Sequence, residues 1–392
     1  MSVGKVSSGQ EGYYLSAVAH GAEDYYSERG EVPGRWIGAA ADELGLAGDV
    51  DDDAFRAVLS GADPSTGLRL RRGNARVCAF DLTLSAPKSV SVLWALGDAD
   101  TTAAVVAAHE VAVDAAVGYM QREAVRSRRG HDGVETVEGG GLIGAAFRHR
   151  TSRAGDPQLH THVVVANTTQ CEDGVWRTLD GRHLYAHART AGFLYQAELR
   201  HALSRSLGLE WEPVSKGVGE VVGVPQEVLR EFSRRRIQIE AAMDAGGDAS
   251  IPSARRLAVE TRMTKDYDVD PATLAVDWHH RAEEFGVDTA TFQHVVNVER
   301  ATQQMSAQDH CADGIVVSED ALAKALTASD ATFDRRAVLR ALAEHAPAGA
   351  CSASARSTAR RSKVASDAVS AFARESSLTT IPSAQCSCAD IC

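Results

Sequence analysis

FRHRTSRAGDPQLHTHVVVAN, residues 147–167, reads as two extended runs around one turn. Gly141 to His149 and Leu159 to Asn167 are the runs, and RTSRAGDPQ between them holds the Gly-Asp-Pro cluster that reverses a chain. An antiparallel pair is expected. On the second strand His160 and His162 are two residues apart, and strand alternation sends both imidazoles to one face. A first strand returning alongside brings His149 next to them. Three neutral nitrogens would then converge, with open positions for water or a phosphate oxygen. An H-x-H pair in a chain with 14 histidines is by itself more often structural than ligating, so the triplet needs support from elsewhere.

Some of that support lies upstream. RVCAFDLTLS, Arg76 to Ser85, alternates like a strand, with Cys78, Phe80, Leu82 and Leu84 on one face and Val77, Ala79, Asp81 and Thr83 on the other. Asp81 therefore points away from the more apolar face. Pro87 opens a helix, and an Ala/Val-rich helix is expected from about Thr101 to Arg126. Helices are also expected over Arg35 to Ala47, Asp52 to Leu59 and His187 to Leu207. SRRGHDG, from Ser127, reads as a charged turn, and GVWRTLDG around Gly174 to Asp180 as a hairpin presenting Trp176 and Arg177. Between Gly217 and Arg300, polar helices carry clustered bases at Arg234 to Arg236, Arg255, Arg256, Arg262 and Lys265.

Four of the eight tyrosines fall as two adjacent pairs, Tyr13 with Tyr14 and Tyr25 with Tyr26. Such rings usually pack on a core. A phenol can also attack a phosphodiester, and the aryl phosphate ester so formed keeps the bond's free energy for a later rejoining step. With a free pKa of about 10 it needs a carboxylate or a cation to help it lose its proton. Asp81 is a candidate for that help.

Composition bounds the class. A chain of 392 residues, 44% hydrophobic, has room for a sizeable core and two or three domains at about 150 residues each. The net charge of −12 argues against a uniformly basic DNA-coating protein but allows a local basic groove. No run of the roughly 18 uncharged apolar residues that span a bilayer is present, and the start lacks a signal peptide's apolar stretch. A cytoplasmic protein without membrane insertion is expected. The seven cysteines lack zinc-site spacing and are expected as free thiols.

Taken together, YYLSAVAHGAEDYY (13–26), FDLTLSAPKSVSVLWAL (80–96) and FRHRTSRAGDPQLHTHVVVANTTQ (147–170) resemble the MobF-type conjugative relaxases of the TrwC/TraI kind. WRTLDGRHLY at Trp176, FSRRRIQIE at Phe232 and TRMTKDYDVDP at Thr261 continue the resemblance in order, over roughly residues 1–346. It implies an α+β HUH endonuclease: an antiparallel sheet, the palm, with helices packed on its outer face, a single-stranded DNA cleft over the metal site, and a C-terminal helical fingers region. The family's metal ligands match His149, His160 and His162, and its acidic residue matches Asp81. Its two nucleophilic tyrosines match Tyr13 and Tyr25, with Tyr14 or Tyr26 as the alternative member of each pair.

The activity so implied is a site- and strand-specific transesterification at a plasmid origin of transfer, through a 5′-phosphotyrosine. A divalent ion would assist, Mg2+ or Mn2+ with Zn2+ as the alternative. Arg150, Arg153, Trp176, Arg177 and Lys265 are the candidate DNA contacts. Single-stranded DNA is the expected partner, with relaxosome accessory proteins and a secretion coupling protein beyond it. Residues 1–216 are expected as the catalytic core, 217–300 as the fingers, 301–350 as a linker and helicase remnant, and 351–392 as a disordered tail. Relatives continue into a helicase, whereas this sequence contains no G-x-x-x-x-G-K-[ST]. The expectation is a chain cut short within TFDRRAVLRALAEHAPAGA, from Thr332. Three rival readings share some of these features: an inactive DNA-binding remnant, a rolling-circle replication initiator, and a three-histidine zinc hydrolase.

Overall fold

Alternating strands assemble an antiparallel sheet ordered β1-β3-β7-β6-β2. These are β1 (Ser2–Ser7), β2 (Arg35–Ile37), β3 (Val77–Ser85), β6 (Gly144–Thr151) and β7 (Pro157–Ala166). Two further strands, β4 (Arg126–Arg129) and β5 (Glu135–Glu138), pair as a ribbon, as do β8 (Thr169–Gln170) and β9 (Trp176–Arg177). The structure, a computed structural model, describes residues 1–7, 34–71, 73, 75–246, 271–296 and 335–345. Within them the chain is α+β, as the sequence implies.

One face of the sheet is covered by three helices, α3 (Lys88–Leu96), α4 (Ala99–Ala124) and α5 (Gly181–Leu207). α4 starts where the Asp98 side chain accepts from the Thr101 amide at 2.8 Å, and α5 ends at Gly208 in the left-handed region at φ +63°. Phe80, Leu82, Leu84, Leu159 and Val163 from the strands meet Val105, Ala112, Val113 and Met120 of α4 and Tyr195 and Leu199 of α5 in the larger core. By length and composition α4 is apolar enough to cross a bilayer. Here it is a core helix, with Val105, Ala112 and Met120 fully buried. The opposite face of the sheet is only partly covered. α1 (Ala39–Glu43) and α2 (Asp52–Ser60) hold Trp36, Phe55, Val58 and Leu59 against Ile143, Ala145, Phe147 and Val164. The histidines lie on that same face, beyond the part that these two helices cover among the described residues.

The helical region after α5 joins the same core. α6 (Gln226–Glu231), α8 (Pro271–Glu283) and α9 (Thr289–Val295) contribute Val228, Leu229, Trp278, Ala282 and Phe292 to it, and α7 (Arg234–Gly246) lies between α6 and α8 in the sequence. α10 (Arg335–His345) buries Val338, Ala341, Leu342 and Ala343 and accepts a 2.7 Å bond from Arg200 Nη2 at the Ala343 carbonyl. This helix falls in the stretch read from sequence as a linker and helicase remnant, residues 301–350.

Three local expectations change. Arg35 to Ala47 is not one helix: Arg35–Ile37 pairs with β6, and Gly38 at φ +109° separates this strand from α1. A Cβ there would lie 2.3 Å from the Leu142 carbonyl oxygen, so only glycine fits. The charged turn at Ser127 is the β4–β5 ribbon, crossed by Arg126–Glu138 at 2.9 Å and by Arg129 Nε to Glu135 at 2.7 Å. Cys78 leaves the alternation of β3. The β1–β3 register slips at Val6/Ser7, and Cys78 joins Ala79 in the smaller core. Cys78 and Cys171 are free thiols. The tail from Cys351 lies outside the described residues.

Candidate metal centre

β6 and β7 bring the three histidines to one face because their register sets His149 opposite His160 and Phe147 opposite His162. Ring centroids are 5.2 Å apart for His149–His160, 5.0 Å for His149–His162 and 5.2 Å for His160–His162. One nitrogen from each ring lies within 4.8 Å of the other two. β3 supplies the fourth group. It pairs with β7 so that Thr83 faces His162, and both oxygens of Asp81 accept from His162 Nδ1 at 2.9 Å. A carboxylate only accepts, so Nδ1 carries the proton and Nε2 keeps the lone pair a metal requires. His160 reaches the same state by donating Nδ1–H to the Gln158 carbonyl at 2.8 Å. Burial, and after it the neighbouring His162 and His149 rings, push His160 well below the ordinary histidine range, which keeps it neutral at pH 7.

The chemistry of this donor set fits a divalent ion. Metal–imidazole bonds run at about 2.0–2.1 Å, so His149, His160 and His162, with nitrogens within 4.8 Å of one another, would be the residues to hold one ion. Three protein ligands leave coordination positions for oxygen atoms of a substrate.

A second layer lies beneath the histidine-bearing strand. Thr161 points to the helical face between the two histidines, and its Oγ1 is hydrogen-bonded to His109 Nε2 at 2.7 Å. His109 Nδ1 is in turn hydrogen-bonded to the Tyr195 hydroxyl at 2.7 Å. His109 is fully buried. That burial, with the Arg148 and Arg35 charges behind it, pushes it down to about 3. α4 and α5 therefore hold β7 from below by a neutral polar chain. At the mouth, Lys88 of the SAPKS motif donates to the Pro157 carbonyl at 2.7 Å, and burial lowers it to about 8. Sequence reasoning passed over His109, Thr161, Tyr195 and Lys88. A histidine in the middle of an Ala/Val helix was the one available signal.

The other candidates are scattered. Arg150 is 6% exposed, with its guanidinium 5.9 Å over the Trp94 ring on the helical side of the sheet, the position of a packing residue. Arg153 is half-buried in the β6–β7 turn. Trp176 packs on the smaller core, and Arg177 donates to both oxygens of Asp173 at 2.7 Å. Tyr13, Tyr14, Tyr25, Tyr26 and Lys265 lie outside the described residues. The residues that flank the tyrosine segment do not. Gly4 of β1 is opposite Asp81, and Gly34 sits so close to Phe147 that a Cβ there would be 2.3 Å from its ring.

Comparison with known proteins points the same way. A family model described as TrwC relaxase matches residues 7–285. Two relatives, both the multifunctional conjugation protein TraI of Escherichia coli, the second from strain K12, are 40% identical over 303 residues and 39% over 310. These matches take in 73% and 75% of this chain but 16% and 17% of the relatives, so the chain spans about a sixth of their length. Among solved structures, a copper-bound complex of the conjugative relaxase TrwC with oriT DNA has TM-score 0.66 at 33% identity, over 74% of this chain and 99% of that one. TrwC complexed with a 27-mer DNA comprising the recognition hairpin and the cleavage site gives 0.64 at 31% identity, over 74% and 99%. A family match over most of the sequence, and likeness over nearly the whole of those solved chains, accompany the histidine cluster on β6 and β7: the chain belongs to the TrwC relaxase family.

Proposed function

We propose that this chain nicks and rejoins single-stranded DNA at a plasmid origin of transfer. The observation that carries the reading is the cluster of His149, His160 and His162, with Asp81 on His162, in a member of the TrwC relaxase family. The phenol oxygen of Tyr13 attacks the scissile phosphorus, its proton passing to a nearby base. The P–O3′ bond breaks, the 3′ oxygen takes up a proton, and the 5′ phosphate is left on the tyrosine. A bound divalent ion supplies charge neutralisation and orientation at the non-bridging phosphate oxygens. Mg2+ or Mn2+, which favour the phosphate and water oxygens that would fill the open positions, are the ions proposed, with Zn2+, which suits imidazole better, as the alternative. His149, His160 and His162 hold it. Asp81, with both oxygens committed to His162, acts by fixing that ring.

Tyr25 serves a second transfer, which ends a round while Tyr13 is occupied. Tyr14 and Tyr26 are the other member of each pair. Arg153 and Lys265 hold flanking phosphates. Family membership supports relaxosome accessory proteins and a secretion coupling protein as partners, and the cytoplasm as the place of reaction.

Incubation with single-stranded oligonucleotides tiled across the transfer origin, with Mn2+, should give a covalent protein–DNA band on a denaturing gel. Tyr13→Phe should lower that band by orders of magnitude, while Tyr25→Phe leaves the first cut nearly normal. Products with two free ends would favour a hydrolase, and DNA mapped mainly to Tyr14, Tyr25 or Tyr26 would refute the assignment of the nucleophile.

A further inference from the structure

The turn that joins the two histidine-bearing strands is held by the helical region at three consecutive residues. Arg234 Nη2 donates to the Ala154 carbonyl at 2.8 Å, and Trp278 Nε1 donates to the Gly155 carbonyl at 2.8 Å. Asp156, its side chain 1% exposed, accepts from the Arg234 amide at 2.9 Å, from Arg234 Nε at 2.7 Å and from Arg281 Nη2 at 3.3 Å. Arg281 is itself braced: it donates to Glu231 at 2.8 Å and lies 4.6 Å from the Phe232 ring centroid. Trp278 stands edge-on to Trp94 at 6.0 Å. Only a few residues separate this anchor from the ligands. Thr151 pairs with Pro157 directly beyond the His149–His160 pair, and the register is irregular between His149 and Thr151. The turn is thus held one rung away from the His149–His160 pair.

We propose that Asp156, Arg234, Arg281 and Trp278 are positioning residues that couple the docking of the helical region to the affinity of the metal centre. The coupling rests on the reading of the histidines as metal ligands given above. None of the four side chains touches a ligand histidine among the described contacts. They act through the turn backbone, so perturbing them changes how well three nitrogens converge, not which nitrogens are present. A buried carboxylate shared by two guanidiniums and a backbone amide is also rigid. Removing one guanidinium leaves the other bonds and loosens the turn without deleting it.

The test uses the full chain without DNA. Arg281→Met keeps the apolar contact with Phe232 and removes the charge. Its Mn2+ affinity, by titration calorimetry, should fall by up to about tenfold, less than the 10–100-fold range for groups bonded directly to a ligand because Arg281 acts through the turn. The Mn2+ concentration that half-saturates oligonucleotide cleavage should rise by the same factor, with the rate at saturating Mn2+ and the KM for DNA close to the parent's. Arg281→Lys should restore most of the affinity. A purely structural role would lower the melting temperature and leave the Mn2+ isotherm in place. If Arg281→Met does not fold, Trp278→Phe, which deletes only the N–H to Gly155 and keeps an aromatic ring against Trp94, carries the same expectation. A parent chain that neither binds Mn2+ nor cuts DNA refutes the proposed function, and this coupling with it. A parent that does both, with folded variants matching its isotherm, refutes the coupling alone.

Discussion

Replacing Asp81 with Asn changes one oxygen to nitrogen and leaves the volume of the side chain. The carboxylate is 11% exposed at its side chain, and each of its oxygens is 2.9 Å from His162 Nδ1, so the amide stays in contact with the ring. If its oxygen faces Nδ1, the ring keeps its tautomer but loses the negative charge that raises its basicity. If its NH2 faces Nδ1, the ring proton moves to Nε2, where the metal should bind. Either outcome weakens the ion's hold. Loss of such a partner typically costs 10–100-fold in metal affinity, or about 1.4–2.7 kcal/mol.

Titration calorimetry with Mn2+ at constant pH reads that loss directly, and an unchanged isotherm would refute the assignment of Asp81 to the metal centre. Cleavage measured against Mn2+ concentration separates two roles. If Asp81 works by orienting His162, saturating Mn2+ restores most of the rate. If it takes the tyrosine's proton, the rate stays low however much Mn2+ is supplied.

His160→Ala should leave the fold nearly intact and remove most Mn2+ binding and cleavage; tight residual binding in calorimetry would show the ligand set to be wrong. His109 sits at about 3 in the folded protein against about 6.5 unfolded. The unfolded chain therefore binds the extra proton between those values, and stability present above pH 6.5 is lost as pH falls. From pH 7 to pH 5 that is about 2 kcal/mol for His109 alone, with His160 contributing in the same direction. Urea midpoints at the two pH values check it, and a flat profile contradicts it. Gly38→Ala meets both the positive φ and the Leu142 carbonyl, so thermal unfolding should show a loss of at least about 1–3 kcal/mol from the backbone alone.

Much of the site was legible because β6 and β7 are adjacent in sequence and joined by an unambiguous turn. Strand periodicity then fixes which side His149, His160 and His162 occupy, and β3 announced itself by its own alternation with Asp81 off the apolar face. The β4–β5 ribbon was hidden because RSRR and ETVE have no apolar face. Its one signal was opposite charge at facing positions, which contributes little energy when exposed. β2 was hidden because Trp36 and Ile37 also fit a helical stripe, and only the conformation of Gly38 separates the two readings. His109 and Tyr195 meet Thr161 only in three dimensions, across 52 residues for one bond and 86 for the other. No local pattern encodes that.

All three histidines proposed as ligands ride on one hairpin, whereas Asp81 comes from a strand 81 residues away in sequence. Hairpins close in about 1–10 μs, while pairing β3 with β7 must first overcome the closure of a long loop. The nitrogens can therefore meet before the carboxylate arrives, and an ion present during refolding finds partners in a chain whose sheet is still unfinished. On the proposed ligand set, metal would then act on the order of folding events as well as on the finished site: it would hold the hairpin while β3 docks, and β3, with β1 still to pair on its far edge, would bring Asp81 to the His162 ring of a centre already assembled.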